Sequence, residues 1–219
     1  MTFTVPESLS EEVATKIAWR IITGEFKSGE RIQELRITRE LGVSRSSVRE
    51  ALRILERWHV IDLIPHRGAV VSTLSAEQVA SLNDTWATLL LMLAIKVAHQ
   101  WQEKDLEPLM QASTQLRQHV QQNNLVGIVD ELFNIIKIAS MIIHNEFIKQ
   151  IMDNLRPAMI RVYYLIARCY TEEPVNTCEL IMKILLAVQQ RDAAEVKQLI
   201  KGYVEHYQPR SLEALKLHQ

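Results

Sequence analysis

The sequence predicts a mainly α fold in two parts: three helices with a β-hairpin, then a run of long helices. Three observations predict it. Glycine and proline are scarce, at six each in 219 residues, and aromatics make up 6%, which argues against a sandwich or barrel. From Ser75 to Gln208 apolar residues recur at helical spacing, with no alternating stretch and no glycine-rich loop. Before that, Pro65-His66-Arg67-Gly68 stands between two short β-rich pieces, 60–64 and 69–73, a hairpin signal with a glycine in the turn.

The first helix is predicted over 10–23. Val13, Ile17, Ile21 and Ile22 form its apolar stripe, Ser8 or Ser10 can cap it, and Gly24 ends it. A turn over 26–29 leads to a short helix over 33–41, and Gly42 breaks the chain. Ser44 then caps a helix running to about Trp58, buried along Val48, Leu52 and Leu55. Three helices and a hairpin in this order describe an N-terminal winged helix-turn-helix, assigned to 1–74. The remainder, 75–219, reads as a C-terminal all-α helical bundle. Its helices are predicted over 75–101, 104–122, 124–143, 145–170, 177–190 and 193–207, with Asp192 as N-cap of the last. The boundary is a change of pattern, without the composition of a flexible linker.

Apolar residues make up 47% and charged residues 23%, enough for a buried core, and the net charge is −1. No global basic field is available, so contact with nucleic acid must come from a local patch. One exists within 36–57, where Arg36, Arg39, Arg45, Arg49, Arg53 and Arg57 face only Glu40, Glu50 and Glu56. Two cysteines, Cys169 and Cys178, are too few for a disulfide framework and suit a reduced, intracellular setting. The N-terminus lacks a basic-then-apolar signal pattern, and there is no apolar run long enough to span a bilayer, so a cytoplasmic protein with no membrane partner is expected.

Enzymatic chemistry is not expected. The chain has no Gly-x-Ser-x-Gly, no His-Glu-x-x-His, no phosphate-binding glycine loop and no Cys-x-x-Cys. Asp130 and Glu131 imitate a carboxylate pair, but adjacent helical residues point about 100° apart. Cys178 has no histidine base nearby in sequence and reads as an inert buried thiol.

The chemistry that stands out is the start of the third helix. A recognition helix places its first turn in the DNA major groove. Ser44, Arg45, Ser46, Ser47 and Arg49 occupy that turn. Arg45 is the best candidate for bidentate hydrogen bonding to a guanine edge. The serine hydroxyls suit phosphates or base edges, as does the helix N-terminus for phosphate. Arg49 is placed for phosphate or base, and Arg36 to hold the backbone. The tip His66-Arg67-Gly68 suits the adjacent minor groove. Taken alone, an arginine-bearing helix is more often a solvated surface. Here turn, helix, hairpin and wing occur in the expected order. A protein-interaction adaptor, whose winged helix packs on a partner, is the competing class; Arg45, Arg49 and Arg67 argue against it.

The run Ile22-x-Gly24, Ser28-Gly29, Leu41-Gly42-Val43-Ser44-Arg45-Ser46-Ser47-Val48-Arg49-Glu50-Ala51-Leu52, Leu55 and Pro65-His66-Arg67-Gly68 resembles the GntR family of bacterial regulators. It departs at Ser28, where the family usually has proline. The all-helical second half is similar to the FadR-type subgroup. The resemblance implies a ligand-responsive transcriptional regulator, expected to repress. It would bind a short inverted repeat in double-stranded DNA as a homodimer, with an effector in the C-terminal bundle.

Most of that subgroup binds a divalent metal through one aspartate and three histidines. By resemblance those positions fall on Asp130, Asn134, Ile181 and Tyr203, so none of the three histidines is present. Imidazole supplies most of such a site's affinity, and no metal cofactor is expected. His144 and His206 are the nearest alternatives, each read as a surface or helix-end histidine. An arginine and a glutamate that often face the effector fall on Ala87 and Leu91, amid apolar Trp86, Leu89, Leu90, Met92 and Leu93. The candidate effector-facing set is therefore Ala87, Leu91, Asp130, Asn134, Ile181 and Tyr203. Three readings stay open. The pocket takes a hydrophobic, acyl-type effector, with Met92, Met141, Met152, Met159 and Met182 as plastic lining. Or it takes a small acid without metal, through Asp130, Asn134, Arg161, Arg168 or Tyr203. Or it is filled, and this half only dimerises.

Overall fold

Ser8 has extended backbone and its hydroxyl accepts from the Glu11 amide at 3.2 Å, so α1 begins at the first of the two candidate caps and spans Leu9–Ile22. The computed structural model describes residues 8–217. Helix α2 (Glu34–Leu41) stops at Gly42, whose φ of 65° is open to glycine at little cost. Helix α3 (Arg45–Arg57) follows, then strands β1 (Ile61–Ile64) and β2 (Gly68–Val71). The strands pair antiparallel with Ile61 opposite Val71 and Ile64 opposite Gly68. The segment 29–32, which from sequence lies between the turn over 26–29 and the second helix, runs beside β2: Gly29 donates to Val71, Val71 to Glu30 and Ile32 to Ala69.

The chain divides into two compact units. One holds the winged helix, up to Ser75, together with Asn154–Tyr164. Its core is built from Ile17 and Ile21 of α1, Ile37 of α2, Val48, Leu52 and Leu55 of α3, and Ile61 and Val71 of the hairpin, all buried. Removing each of these large side chains from water contributes roughly 1.5–3 kcal/mol.

The other unit contains α4 (Ala76–Gln100), α5 (Glu103–Gln121), α6 (Leu125–Ile142), α8 (Glu173–Gln189) and α9 (Ala193–Leu217). Helix α7 (Glu146–Cys169) gives its two ends to this unit and its middle to the first. Two boundaries depart from expectation. Helix α8 begins at Glu173 rather than 177, because Pro174 sits in its first turn, where a missing N–H costs nothing. Helix α9 continues to Leu217 rather than ending at 207. Pro209 removes one internal hydrogen bond, but the extension buries Ser211, Ala214 and Leu215, and the Asn83 side chain donates to Ser211 Oγ at 2.7 Å. Asp192 caps this helix through the Glu195 amide at 2.9 Å. Trp86 of α4 stacks obliquely on Phe133 of α6, with centroids 5.6 Å apart.

Candidate nucleic-acid interface

The first turn of α3 is organised by Ser44. Its Oγ accepts from the Ser47 amide at 3.1 Å and lies 2.8 Å and 2.9 Å from the hydroxyls of Ser46 and Ser47. Three hydroxyls thus gather at the positive end of a helix, a favourable position for a phosphate. Arg45 is the first residue of α3 and is exposed. It takes part in no ion pair among the described residues.

The other arginines are committed to differing degrees. Arg49 Nε stands 2.9 Å from Glu34, the first residue of α2. Arg36 pairs with Glu40 at 2.6 Å, and Glu40 also takes Arg20 at 2.8 Å. Hydrogen bonds from Arg36 and then Arg20 hold the Glu40 carboxyl below its ordinary range. Phe26 lies beneath both cations, with guanidinium carbons 4.4 Å (Arg20) and 5.8 Å (Arg36) from its ring centre. Arg36 is therefore a member of a charge network that ties α1 to α2.

At the hairpin tip His66 and Arg67 are exposed, and the Arg67 amide donates to Ile64 at 3.1 Å. His66 and Gly68 both have positive φ, 63° and 79°. A side chain at Gly68 would come within 3.8 Å of the Arg31 guanidinium. Arg31 thus adds an exposed cation beside the wing. Sequence reasoning passed over it because it lies outside the arginine-rich 36–57 stretch. The nine DNA-binding candidates fall on three features of one unit: the first turn of α2, the start of α3 and the hairpin turn.

The six effector candidates are spread over four helices of the other unit. Ala87 and Leu91 are half-buried on one face of α4, and Asp130 and Asn134 likewise on α6, where Asn134 donates to Glu131 at 3.1 Å. Ile181 is half-buried on α8. Tyr203, on α9, lies 5.0 Å from the Tyr207 ring. A groove of about 500 Å³ between α8 and α9 has Tyr203, Leu180, Lys183 and His206 in its wall, but none of the other five candidates. At its edge is the fully buried Glu173, which accepts from Thr177 at 3.2 Å and Arg210 at 3.0 Å and lies 3.5 Å from His206 Nε2. No local signal separates this carboxylate from an ordinary acid in a first helical turn. His144 sits in the turn between α6 and α7. Among the described residues no three His, Cys, Asp or Glu side chains are grouped to hold a metal ion, and no helix is long and apolar enough to cross a membrane. Arg161, a candidate for a polar effector, is instead bonded to Ser72.

Residues 9–71 match the family of bacterial regulatory proteins, gntR family, and residues 82–206 match the FCD domain. The chain is 31% identical over 156 residues to the gluconate operon transcriptional repressor of Bacillus subtilis (strain 168), covering 69% of this chain and 62%, under two thirds, of that relative. It is 26% identical over 177 residues to the repressor of the same name from Bacillus licheniformis, covering 80% and 72%. Among solved structures, E. coli McbR/YncC superposes with a TM-score of 0.76 at 18% identity, over 92% of this chain and 95% of that one. Lar, which controls expression of the Listeria monocytogenes agr system, gives 0.62 at 19% identity, over 96% and 99%. At these identities the likeness is one of fold.

Proposed function

Because the chain belongs to the GntR family of bacterial regulators and carries an FCD domain, we propose that it is a ligand-responsive repressor. It binds a short inverted repeat in double-stranded DNA as a homodimer, one winged helix per half-site. The observation that carries this reading is the unpaired, exposed Arg45 beside the hydroxyl cluster at the start of α3. A lone cation on a helix N-terminus is poorly placed for helix stability and well placed for a guanine edge or phosphate. Arg67 and Arg31 at the wing add backbone or minor-groove contacts, and Arg49 a phosphate contact.

The effector is held without a metal, since Ile181 cannot ligate and Asn134 and Tyr203 are poor substitutes for imidazole. Its class is an acyl-type molecule or a small acid; because relatives are gluconate operon repressors, a sugar acid is the first small acid to be tried. A ligand lowers DNA affinity only as far as it prefers the non-binding state.

The test is site selection from randomised duplex DNA with the full chain, followed by anisotropy across a salt series. A selected inverted repeat, bound with a steep salt dependence and at least fivefold more weakly by Arg45→Ala, is expected. Failure to enrich any sequence, with fold intact, would move the adaptor reading forward.

A further inference from the structure

Arg161 is one of the few buried charged side chains in the protein, 8% exposed, and it takes no part in the interface described above. It lies on the 154–164 stretch of α7, within the same compact unit as the winged helix. Its Nη1 donates to both the carbonyl and the hydroxyl of Ser72, each at 3.0 Å. Ser72 directly follows β2 and is the junction at the base of the wing. Its amide donates to Val60 at 3.1 Å, its hydroxyl donates to the His59 carbonyl at 3.2 Å, and its carbonyl also accepts from Ser28 Oγ at 3.2 Å. One turn further along α7, Tyr164 meets Trp19 of α1 edge-on, with centroids 5.6 Å apart.

This is a costly way to hold a wing. Arg161 has no ion pair among the described residues, so a full charge is buried against a neutral carbonyl and hydroxyl. Burial pulls its pKa down to about 10, with Asp62 opposing from a distance. Apolar replacements of buried ionic groups are often neutral or stabilising, so stability does not account for the guanidinium. Placement does. A planar guanidinium bonding two oxygens of one residue sets direction as well as distance.

We propose that Arg161 is a positioning residue for DNA recognition: its paired hydrogen bonds to Ser72 fix the base of the wing, and so the placement of Arg67 relative to α3. This rests on the DNA-binding reading. Since α7 is one helix from Glu146 to Cys169, a shift or rotation of that helix carries the guanidinium off Ser72 and loosens the wing.

The test uses the full chain and the selected inverted repeat, with wild type, Arg161→Met, Arg67→Ala and the double variant. Arg161→Met is expected to match or exceed the wild-type melting temperature while binding about tenfold more weakly, with faster amide exchange confined to residues 61–72. The decisive readout is the double variant, which should bind no more weakly than Arg67→Ala alone, because Arg161 acts through the wing. Additive losses, or unchanged affinity in Arg161→Met, overturn the proposal while leaving DNA binding standing. Absence of binding by wild type overturns both. Should Arg161→Met not fold, Ser72→Ala takes away the hydroxyl acceptor from the other side, and the same non-additivity with Arg67→Ala, at smaller size, decides the matter.

Discussion

Glu34→Gln should make this protein less stable and a better DNA binder. The Arg49–Glu34 pair is 2.9 Å long but exposed, with side chains 67% and 38% accessible. Such a pair contributes about 0.2–1 kcal/mol. Glu34 is also the first residue of α2, where a negative charge favours the helix by about 0.3–1 kcal/mol. Together the substitution costs roughly 0.5–2 kcal/mol, and about 2–4 °C of melting temperature per kcal/mol in a chain of this size. On DNA the sign reverses. Arg49 must leave Glu34 before it can meet a phosphate, so releasing it in advance recovers up to about 1 kcal/mol, close to fivefold in affinity. Arg49 meets the same phosphate in both proteins, so the dependence of log K on log salt is expected to keep its slope. Thermal unfolding and an anisotropy salt series measure the two effects on one preparation. Unchanged affinity would refute the argument, showing that Arg49 stays on Glu34 in the complex or never reaches the backbone. Weaker binding would show that Glu34 positions Arg49 rather than restraining it.

Ser44→Ala removes the acceptor for the Ser47 amide and should cost about 1 kcal/mol in a denaturant titration, with a further loss in DNA affinity from the dispersed hydroxyl cluster. Gly127→Ala should destabilise despite a better helix propensity. A Cβ there would collide with the imidazole of His119, whose partner Asn124 is the N-cap of α6. A net loss of about 1–3 kcal/mol is expected from the urea midpoint; a raised midpoint would refute it. Tyr170 donates to Glu213, and that hydrogen bond, helped by burial, pushes the phenol up to about 12 from its ordinary value near 10. A folded-state pKa raised above the unfolded one stabilises below pH ~10 and is lost as pH climbs towards 12. Tyr170→Phe should therefore unfold more easily than wild type at pH 8, with the gap closing between pH 10 and 12. Glu213→Gln should bring tyrosinate absorbance in at lower pH.

The parts of the fold legible in the sequence are those whose signals are local. Ser8, Ser44 and Asp192 cap helices through an amide three residues on, so each cap is written within four positions. Gly42 and the Pro65–Gly68 turn are of the same kind. What was misread depends on distant partners. Pro209 looks like a stop, yet the helix continues because Asn83, far back on α4, donates to Ser211 Oγ. The 29–32 segment has no alternation to betray it as a strand-like neighbour of β2; it is held there by Val71 and Ala69.

The interface shows the same division at the level of charge. Arg36, Arg45, Arg49 and Arg67 are equivalent as letters, and their placement on α2, α3 and the hairpin turn follows from the order of elements. Their availability does not, because it is set by carboxylates on other elements: Glu40 is shared by Arg36 and Arg20, Glu34 holds Arg49, and Arg45 and Arg67 take part in no ion pair among the described residues. Arg161 carries the point furthest. On α7 it looked like a group for a polar effector, and its hydrogen bonds run to a serine 89 positions away. The six effector candidates share that weakness. Family register assigns each to a helix, but whether Asp130 and Tyr203 face one cavity depends on the rotation of α6 against α9, for which this chain has no metal-ligand pattern to serve as a constraint. Charge patterning therefore points to the proposed DNA face, while the rank of each arginine upon it is a tertiary property. Glu34 and Arg161, neither of which was assigned a DNA contact, are accordingly the two substitutions that discriminate best between a surface that is merely basic and one arranged to read DNA.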